Sequence, residues 1–469
     1  MGDLAVVFQV EALDKLWRGN AGQVSMLAEV IANQGIRAWF VAYGRTDKEI
    51  RKARGLVKSN QLLIITERTA KVALLYALSS SGALNSAGGR RALLFCDSRD
   101  DAMRSAAGRM NVELIACTPG NAGGLSSPTS LLQRIFSSYL KSREEGGSRD
   151  GAERVVVVGY IMRPSRESSL SRQGLLHLKA INGVSFVPVD HATPFDLQQR
   201  RCKFDLLMHK ASDWIVLGSS GLDVTVSLPS VFDSLAGAKI PWLDSIERTS
   251  ALWSRTEMHK LLMGLGDPDL GLSDRLIVPA TIPFGGAGRD FKGKVPLIVK
   301  SNAACGVSFS HKMIIVRTEE PVDLDPALES CYNEYRDLVV QDYIDHDGHE
   351  TKVYCIGDAI HVSKRRLGTL DKGEDPGPIT VFDSLEAKSR SPGDPGGGYY
   401  PVSEEDRAIL CECGKWLRNK LGVHLFGFDA LKARGSGKIA IIDVNYFPSF
   451  KGIPEARSDL HRVITSQLS

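Results

Sequence analysis

Nowhere along the 469 residues do apolar side chains run on for the ~20 positions that a membrane-crossing helix requires. No basic residue precedes Lys15 in the opening MGDLAVVFQVEALDK, so the start of a secretory signal is not expected there. Net charge is scarce too: 58 Lys and Arg stand against 55 Asp and Glu, a formal +3, which argues against a nucleic-acid partner. A local cluster of cations still suits an anionic ligand, because the ligand feels its pocket and not the whole molecule. Cysteine is thin. The eight cysteines have neither zinc-ligand spacing nor the density of a disulfide scaffold, which points to a reducing compartment, cytosol or nucleus. Cys411-Glu412-Cys413 lies in a helical pattern that turns one thiol inward and the other outward. What is present is ordinary for a soluble globular protein: 43% hydrophobic and 24% charged residues. That is core enough for about two to four domains.

Residues 1–118 alternate strand and helix, through AVVFQV, the helical SMLAEVIANQG, IRAWFVAYG, ALLFCDS and VELIACT. Such alternation with short connections implies a parallel, helix-covered sheet. Segment 119–153 is rich in Gly, Ser and charge around one short helical stretch, LLQRIFSSYLKS, and has the composition of a linker. A second alternating unit, 154–241, opens at Arg154-Val155-Val156-Val157-Val158-Gly159. A helix is expected over 245–264, with Asp244 or Ser245 as cap and Gly264 as stop. Strand-rich blocks follow at 295–345 and 350–366, then a long polar loop at 369–400, a helix at 404–421 and a hairpin.

The hairpin, LFGFDALKARGSGKIAIIDVNYFPSFKG, carries most information. Gly435-Ser436-Gly437 is turn chemistry, so 426–432 and 438–445 pair as antiparallel strands. Strand side chains alternate faces, which turns Asp443 and Asn445 the same way, across from Asp429. Two carboxylates and an amide suit Mg²⁺, a hard cation that takes oxygen ligands. The same residues also suit a strand that ends in turn-forming Asp and Asn, and this stretch alone does not separate the two. Gly437-Lys438 is no Walker loop: Lys432 stands where its first glycine belongs, and Ile439 where its Ser or Thr belongs.

Upstream, PLIVK ends an apolar strand in Lys300, and SNAACGVSFSHKM follows with Gly306 and His311. A lysine at a strand end reaches phosphates as a compact cation, and small residues let backbone N–H groups approach them. LVVQDYIDH, from an apolar strand into polar residues, has the form of a linker that pairs its backbone with a base edge. Lys352 and the run Lys364-Arg365-Arg366 add cations nearby, although a charge run is usually a solvated face.

In their order, PLIVK, AACG, SHKM, VVQDYIDH, KVYCIGD, KRR, FGFD and DVNYFPSFKG resemble the plant-type inositol 1,3,4-trisphosphate 5/6-kinase (inositol-tetrakisphosphate 1-kinase) family, over roughly residues 154–465. The resemblance implies a mixed α/β and α+β chain with an ATP-grasp core: a Rossmann-like subdomain at 154–241, a central lobe at 242–346 and a C-terminal lobe at 347–469. It implies ATP and Mg²⁺, with Asp429, Asp443 and Asn445 as metal ligands. Lys300, Arg255, Lys352 and the hinge Gln341, Asp342, Tyr343 and Ile344 would hold ATP. Arg166, Lys210, His311, Lys352, Asn445 and Ser449 would contact the inositol phosphate, with His311 and Lys352 nearest the chemistry. Three positions depart from the pattern: Arg166 for lysine, Ser449 for glycine, and Leu367 for the usual serine.

Within 1–118, LLFCDSRDD and the helix after it resemble a late acidic motif of the haloacid-dehalogenase-like fold. The Asp-x-Asp nucleophile is missing, since the first strand offers only Glu11 and Asp14, so a docking or structural domain is expected there. Two rival functions share these residues. A carboxylate–amine ligase would keep the fold, and a degenerate scaffold would bind inositol phosphates without turning them over.

Overall fold

The computed structural model describes residues 4–9, 27, 31, 38–43, 62–65, 91–96, 113–116, 128–146, 154–190, 194–219, 239–285, 295–320, 323–332, 337–367, 377–384 and 400–469. The chain divides into two compact units, one drawn chiefly from 1–208 and 229–242, the other from 209–228 and 243–467.

In the first unit, β1 (Leu4–Gln9), β2 (Ala38–Tyr43), β3 (Leu62–Ile65), β4 (Arg91–Cys96) and β5 (Glu113–Ala116) form a sheet in the order β3-β2-β1-β4-β5. All its pairings are parallel, as the alternation implied. The strand Leu62–Ile65 was not anticipated, because a four-residue apolar run has no periodicity of its own. The expected helix SMLAEVIANQG falls almost wholly outside the described residues, as do Glu11, Asp14 and the acidic stretch after Cys96.

The expected linker holds a 19-residue helix, α1 (Pro128–Gly146), longer than the stretch read from sequence. Leu131, Leu132, Ile135 and Phe136 on α1 are buried. Next come β6 (Val156–Ile161), α2 (Pro164–Arg172), β7 (Val184–Pro188), α3 (Phe195–Cys202) and β8 (Leu206–His209), with strand order β7-β6-β8. Helix α1 packs on α3 and β7. Its Gln133 amide donates to the Pro188 carbonyl at 2.9 Å and to Gln198 Oε1 at 2.6 Å. So α1 is part of the unit and not a bare tether.

The second unit begins with α4 (Ser212–Ser219). The helix expected over 245–264 is broken into α5 (Ile246–Thr249), a 3-10 turn (Ser250–Leu252) and α6 (Arg255–Met263). A tertiary contact makes the break. Asn302 accepts from Ser254 and Thr256, its carbonyl takes the Arg255 N–H, and Ser254 starts a fresh helix as N-cap. Then follow β9 (Leu276–Ile277), β10 (Thr281–Pro283), β11 (Leu297–Ser301), β12 (Lys312–Val316), α7 (Asp325–Tyr332), β13 (Leu338–Asp342), β14 (His346–Ile356), β15 (Ala359–Arg366) and β16 (Ile379–Asp383). The chain closes with α8 (Glu404–Leu421), β17 (Leu425–Ala433), β18 (Ile439–Tyr446) and α9 (Ala456–Ser466).

One sheet runs β10-β13-β11-β12-β16 and the other β15-β14-β17-β18-β9. Within the loop expected at 369–400, β16 is an edge strand that pairs with β12. Helix α8 falls where it was expected: Ser403 caps it, acids fill its first turn, and Gly422 ends it at φ 64°. Cys413 is buried and Cys411 partly exposed, as the pattern required. Among the described residues no helix is long and apolar enough to cross a membrane.

Burying each large apolar side chain of α1 is worth about 1.5–3 kcal/mol. A chain begun near residue 127 should therefore unfold cooperatively, while one begun at Arg154 should lose several kcal/mol and expose the faces of α3 and β7. Thermal unfolding of the two truncations compares them; equal midpoints would mean that α1 adds nothing.

Candidate active site

The site grows from the register of three neighbouring strands. On β17, Asp429 lies opposite Lys352 of β14 on one side and opposite Asp443 of β18 on the other. A bulge follows, between Asp429 and Ala430. Lys352 Nζ reaches both Asp429 oxygens, at 2.6 and 2.8 Å. Asp443 Oδ2 accepts from Asn445 Nδ2 at 2.8 Å, so the same-face geometry expected of Asp443 and Asn445 is present. The other oxygen, Asp443 Oδ1, is buried and has no hydrogen-bond partner among the described residues. A bare carboxylate oxygen in such a place costs free energy unless a cation meets it. With Asp429 and Asn445 it makes an all-oxygen donor set that fits a hard divalent cation. No group of three His, Cys, Asp or Glu with metal-binding geometry occurs among the described residues; this set is two acids and an amide.

Facing these acids are two buried cations. Lys300 lies within β11, its Nζ donating to Gln341 Oε1 at 2.6 Å, and Gln341 in turn donates to Thr281. Burial, then the nearby Arg255 guanidinium, push the Lys300 ammonium down to about 8, against the pull of Asp443 and Asp429. Arg255 opens α6 and is 6% exposed, yet among the described residues its acceptors are carbonyls: Ser301 at 2.5 Å, Ala303 at 2.8 Å and Ser310 at 3.2 Å. Its Nε is buried without a partner among the described residues. Two desolvated cations so close, neither in contact with a carboxylate of the described residues, are an arrangement that an anion stabilises.

Several expected contacts take other roles. The Gln341 side chain holds Lys300, while the backbone N–H groups of Asp342 and Tyr343 go to Ala280 O and Pro296 O and are not offered to a base. Ile344, half-buried, follows them in the same segment. The Lys210 ammonium donates to the Tyr446 carbonyl, lies over that ring at 5.6 Å, and is 3.9 Å from Asp213, so it is built into the protein. Lys364 pairs with Asp347 and Arg365 with Glu350. Burial by itself lowers the Lys352 ammonium, but Asp429 and Glu350 outweigh it and hold it above its ordinary value.

Arg166 is half-buried in the first turn of α2, in the other unit. His311 ends a 3-10 turn (Ser308–His311) just ahead of β12, directly after the Ser310 carbonyl that Arg255 holds. Ser449 stands in the turn after β18, where buried Phe447 and Phe450 adopt φ of 41° and 50°. Leu367 closes onto the Gly348 carbonyl through its backbone N–H.

Two acids went unread. Glu350 is 4% exposed and sits two residues before Lys352 on the same face of β14, a placement that strand alternation does carry. Asp244, expected only as a cap, is fully buried. Its carboxylate accepts from the backbone of His424 and Leu425 at 2.6 and 3.1 Å, pinning the start of β17. The bond to Asp244 is also the main reason the His424 imidazole is held above its usual range.

Gly306, expected to let backbone approach phosphate, serves packing instead. Its φ is +80°, and a Cβ there would lie 2.5 Å from the Asp213 carbonyl oxygen. Around it, Ala303 and Val307 pack with Val216 of α4. Gly306→Ala should therefore cost about 1–3 kcal/mol from backbone strain alone, before the clash is counted. Denaturant unfolding measures it; a variant as stable as the parent would mean that this loop is not seated on α4.

With the geometry in place, comparison with known proteins is informative. Residues 283–466 match the inositol 1,3,4-trisphosphate 5/6-kinase ATP-grasp domain. Inositol-tetrakisphosphate 1-kinase 4 of Oryza sativa subsp. indica is 30% identical over 325 residues, 64% of this chain and 81% of the relative. Inositol-tetrakisphosphate 1-kinase 6 of the same subspecies is 27% identical over 366 residues; the match takes in 70% of this chain and only 62% of that relative's length. D-alanyl-alanine synthetase A of Vibrio cholerae O1 biovar eltor aligns with TM-score 0.45 and 12% identity, over 68% of this chain and 99% of that one. From that 30% identity across most of the rice enzyme, and from the matched ATP-grasp domain, the chain belongs to the inositol 1,3,4-trisphosphate 5/6-kinase (inositol-tetrakisphosphate 1-kinase) family.

Proposed function

We propose that this protein transfers the γ-phosphoryl group of ATP to a ring hydroxyl of an inositol tris- or tetrakisphosphate, reversibly, so that phosphate can also return to ADP. The observation that carries this is the juxtaposition of buried Lys300 and Arg255 with a buried oxygen of Asp443, which among the described residues have respectively no carboxylate contact and no hydrogen-bond partner. Phosphoryl transfer asks chiefly for alignment and neutralisation of charge, which is what such a site supplies. Lys300 and Arg255 bind and orient the nucleotide phosphates, and the segment ending at Ile344 borders the base. Asp429, Asp443 and Asn445 would hold Mg²⁺, which when bound neutralises phosphate oxygens. His311 and Lys352 orient the acceptor as cations, and no strong base is required. Lys210 supports the strand end that carries Asn445, and Arg166 and Ser449 border the inositol phosphate. The N-terminal sheet is assigned a haloacid-dehalogenase-like docking or structural role, and the whole acts as a monomer in cytosol or nucleus.

Incubation with Mg·ATP and a panel of inositol tris- and tetrakisphosphates, followed by separation of products, tests the assignment. A phosphorylated inositol is expected. Acyl-phosphate-dependent amide formation with no inositol product would point to the ligase chemistry, and binding without turnover to a scaffold. Asp443→Asn should lower turnover by about 10²-fold or more while leaving the unfolding midpoint nearly unchanged, because it removes charge and not volume. Near-native turnover at saturating Mg²⁺ would remove Asp443 from the metal set.

The departures from the family pattern carry specificity. Arg166 presents a planar pair of donors where a lysine presents a mobile point charge. Ser449 adds a side chain between two strained residues, and Leu367 removes a hydroxyl beside Arg366. The combined change Arg166→Lys, Ser449→Gly and Leu367→Ser should shift relative kcat/KM among inositol phosphates by about 10-fold. Unchanged ratios would make the three positions neutral.

A further inference from the structure

Lys352 and a divalent cation compete for the same carboxylate. The ammonium holds both oxygens of Asp429, and a metal ion drawn to Asp429 and Asp443 brings two positive charges to within a few ångströms of it. At such a separation like charges repel strongly in a half-buried site, so the ammonium must yield Asp429 at least in part. A second carboxylate stands ready beside it. Glu350 Oε2 is 3.8 Å from Lys352 Nζ, on the same strand face, and Glu350 is almost wholly buried. Across the ladder, Arg365 lies opposite Glu350 and fixes it, with Nε at 2.7 Å from Oε2 and Nη2 on the same oxygen. Burying an acid here is costly unless it serves the two cations that touch it.

Resting on the metal and nucleotide site assigned above, we propose that Glu350 is a positioning residue: held by Arg365, it receives the Lys352 ammonium when a divalent cation takes Asp429. Two consequences follow. Metal binding is eased, because Lys352 moves from one carboxylate to the next without becoming a stranded buried charge. Lys352 also stays in the site, still charged, where the acceptor phosphates arrive. The residue acts through Lys352 and touches neither metal nor substrate.

The test needs no turnover. Binding of a non-hydrolysable ATP analogue to the full chain is followed by calorimetry while Mg²⁺ is titrated, in the parent, Glu350→Gln, Lys352→Met and the double variant. Glu350→Gln should raise the Mg²⁺ half-saturation roughly three- to tenfold, since Lys352 then leaves Asp429 only for solvent. With Lys352→Met already in place, Glu350→Gln should change it by less than about twofold, because there is no ammonium left to receive. An equal effect in both backgrounds, or none in the first, overturns the proposal. Arg365→Gln provides the opposite sign: it leaves more of the Glu350 charge for Lys352 and should lower the half-saturation, whereas a purely structural role would have both substitutions weaken binding. If the parent binds the analogue with Mg²⁺ but phosphorylates no inositol phosphate, the functional assignment fails and the titration still decides the role of Glu350.

Discussion

Asp429 faces a cation on one strand and a second carboxylate on the other, and that placement is fixed by register. A slip of one residue between β14 and β17 would turn Lys352 to the opposite face, and the same slip in β18 would bury Asp443 in the apolar core. Apolar burial enforces the register. Val353, Phe428 and Val444, which alternate with the site residues on the same three strands, are essentially inaccessible. Asp244 anchors the other end of the ladder by taking the N–H groups of His424 and Leu425 just as β17 begins. The chemistry of the polar face is therefore held in place by the packing of the apolar one.

Against this rigid ladder stands the cost of the cations. Among the described residues the buried Lys300 ammonium donates to a neutral amide and the buried Arg255 guanidinium to carbonyls, and both give up hydration that ion pairing would normally offset. Arg255 repays part of this structurally. Its bonds to Ser301, Ala303 and Ser310 set the path of the loop between β11 and β12, which Gly306 then seats on α4. The same arginine shapes the loop and, with Lys300, charges its inner side. A polyphosphate arriving there would meet donors already oriented, so little ordering cost is left for the moment of binding.

How much of this could be read in the sequence divides along a physical line. Local rules did well. The span of α8 and the hairpin about Gly435-Ser436-Gly437 are visible within a few residues of chain, and so is the shared face of Asp443 and Asn445. Partnerships made at long range were not legible. Nothing near Lys352 announces Asp429, which lies 77 residues away, and nothing near Gln341 announces that its amide will hold Lys300. The helix over 245–264 broke for the same reason: Asn302, far along the chain, offers Ser254 and Thr256 a better partner than the helix does. Glu350 is the instructive middle case, since alternation puts it beside Lys352 but only the partner strand supplies Arg365.

The charge pattern that results has a consequence for any polyanionic ligand. Lys352, Lys364 and Arg365 each touch a carboxylate, and Lys210 has one within 3.9 Å, so the site is not an open field of positive charge. A ligand phosphate must exchange with a protein carboxylate to reach them, and every exchange leaves that carboxylate needing a new partner. A metal ion on the acids, as proposed, would resolve the difficulty by satisfying the oxygens that the cations release. On the proposed reading, metal, nucleotide and acceptor would be coupled through shared charges, each bound more readily when the others are present.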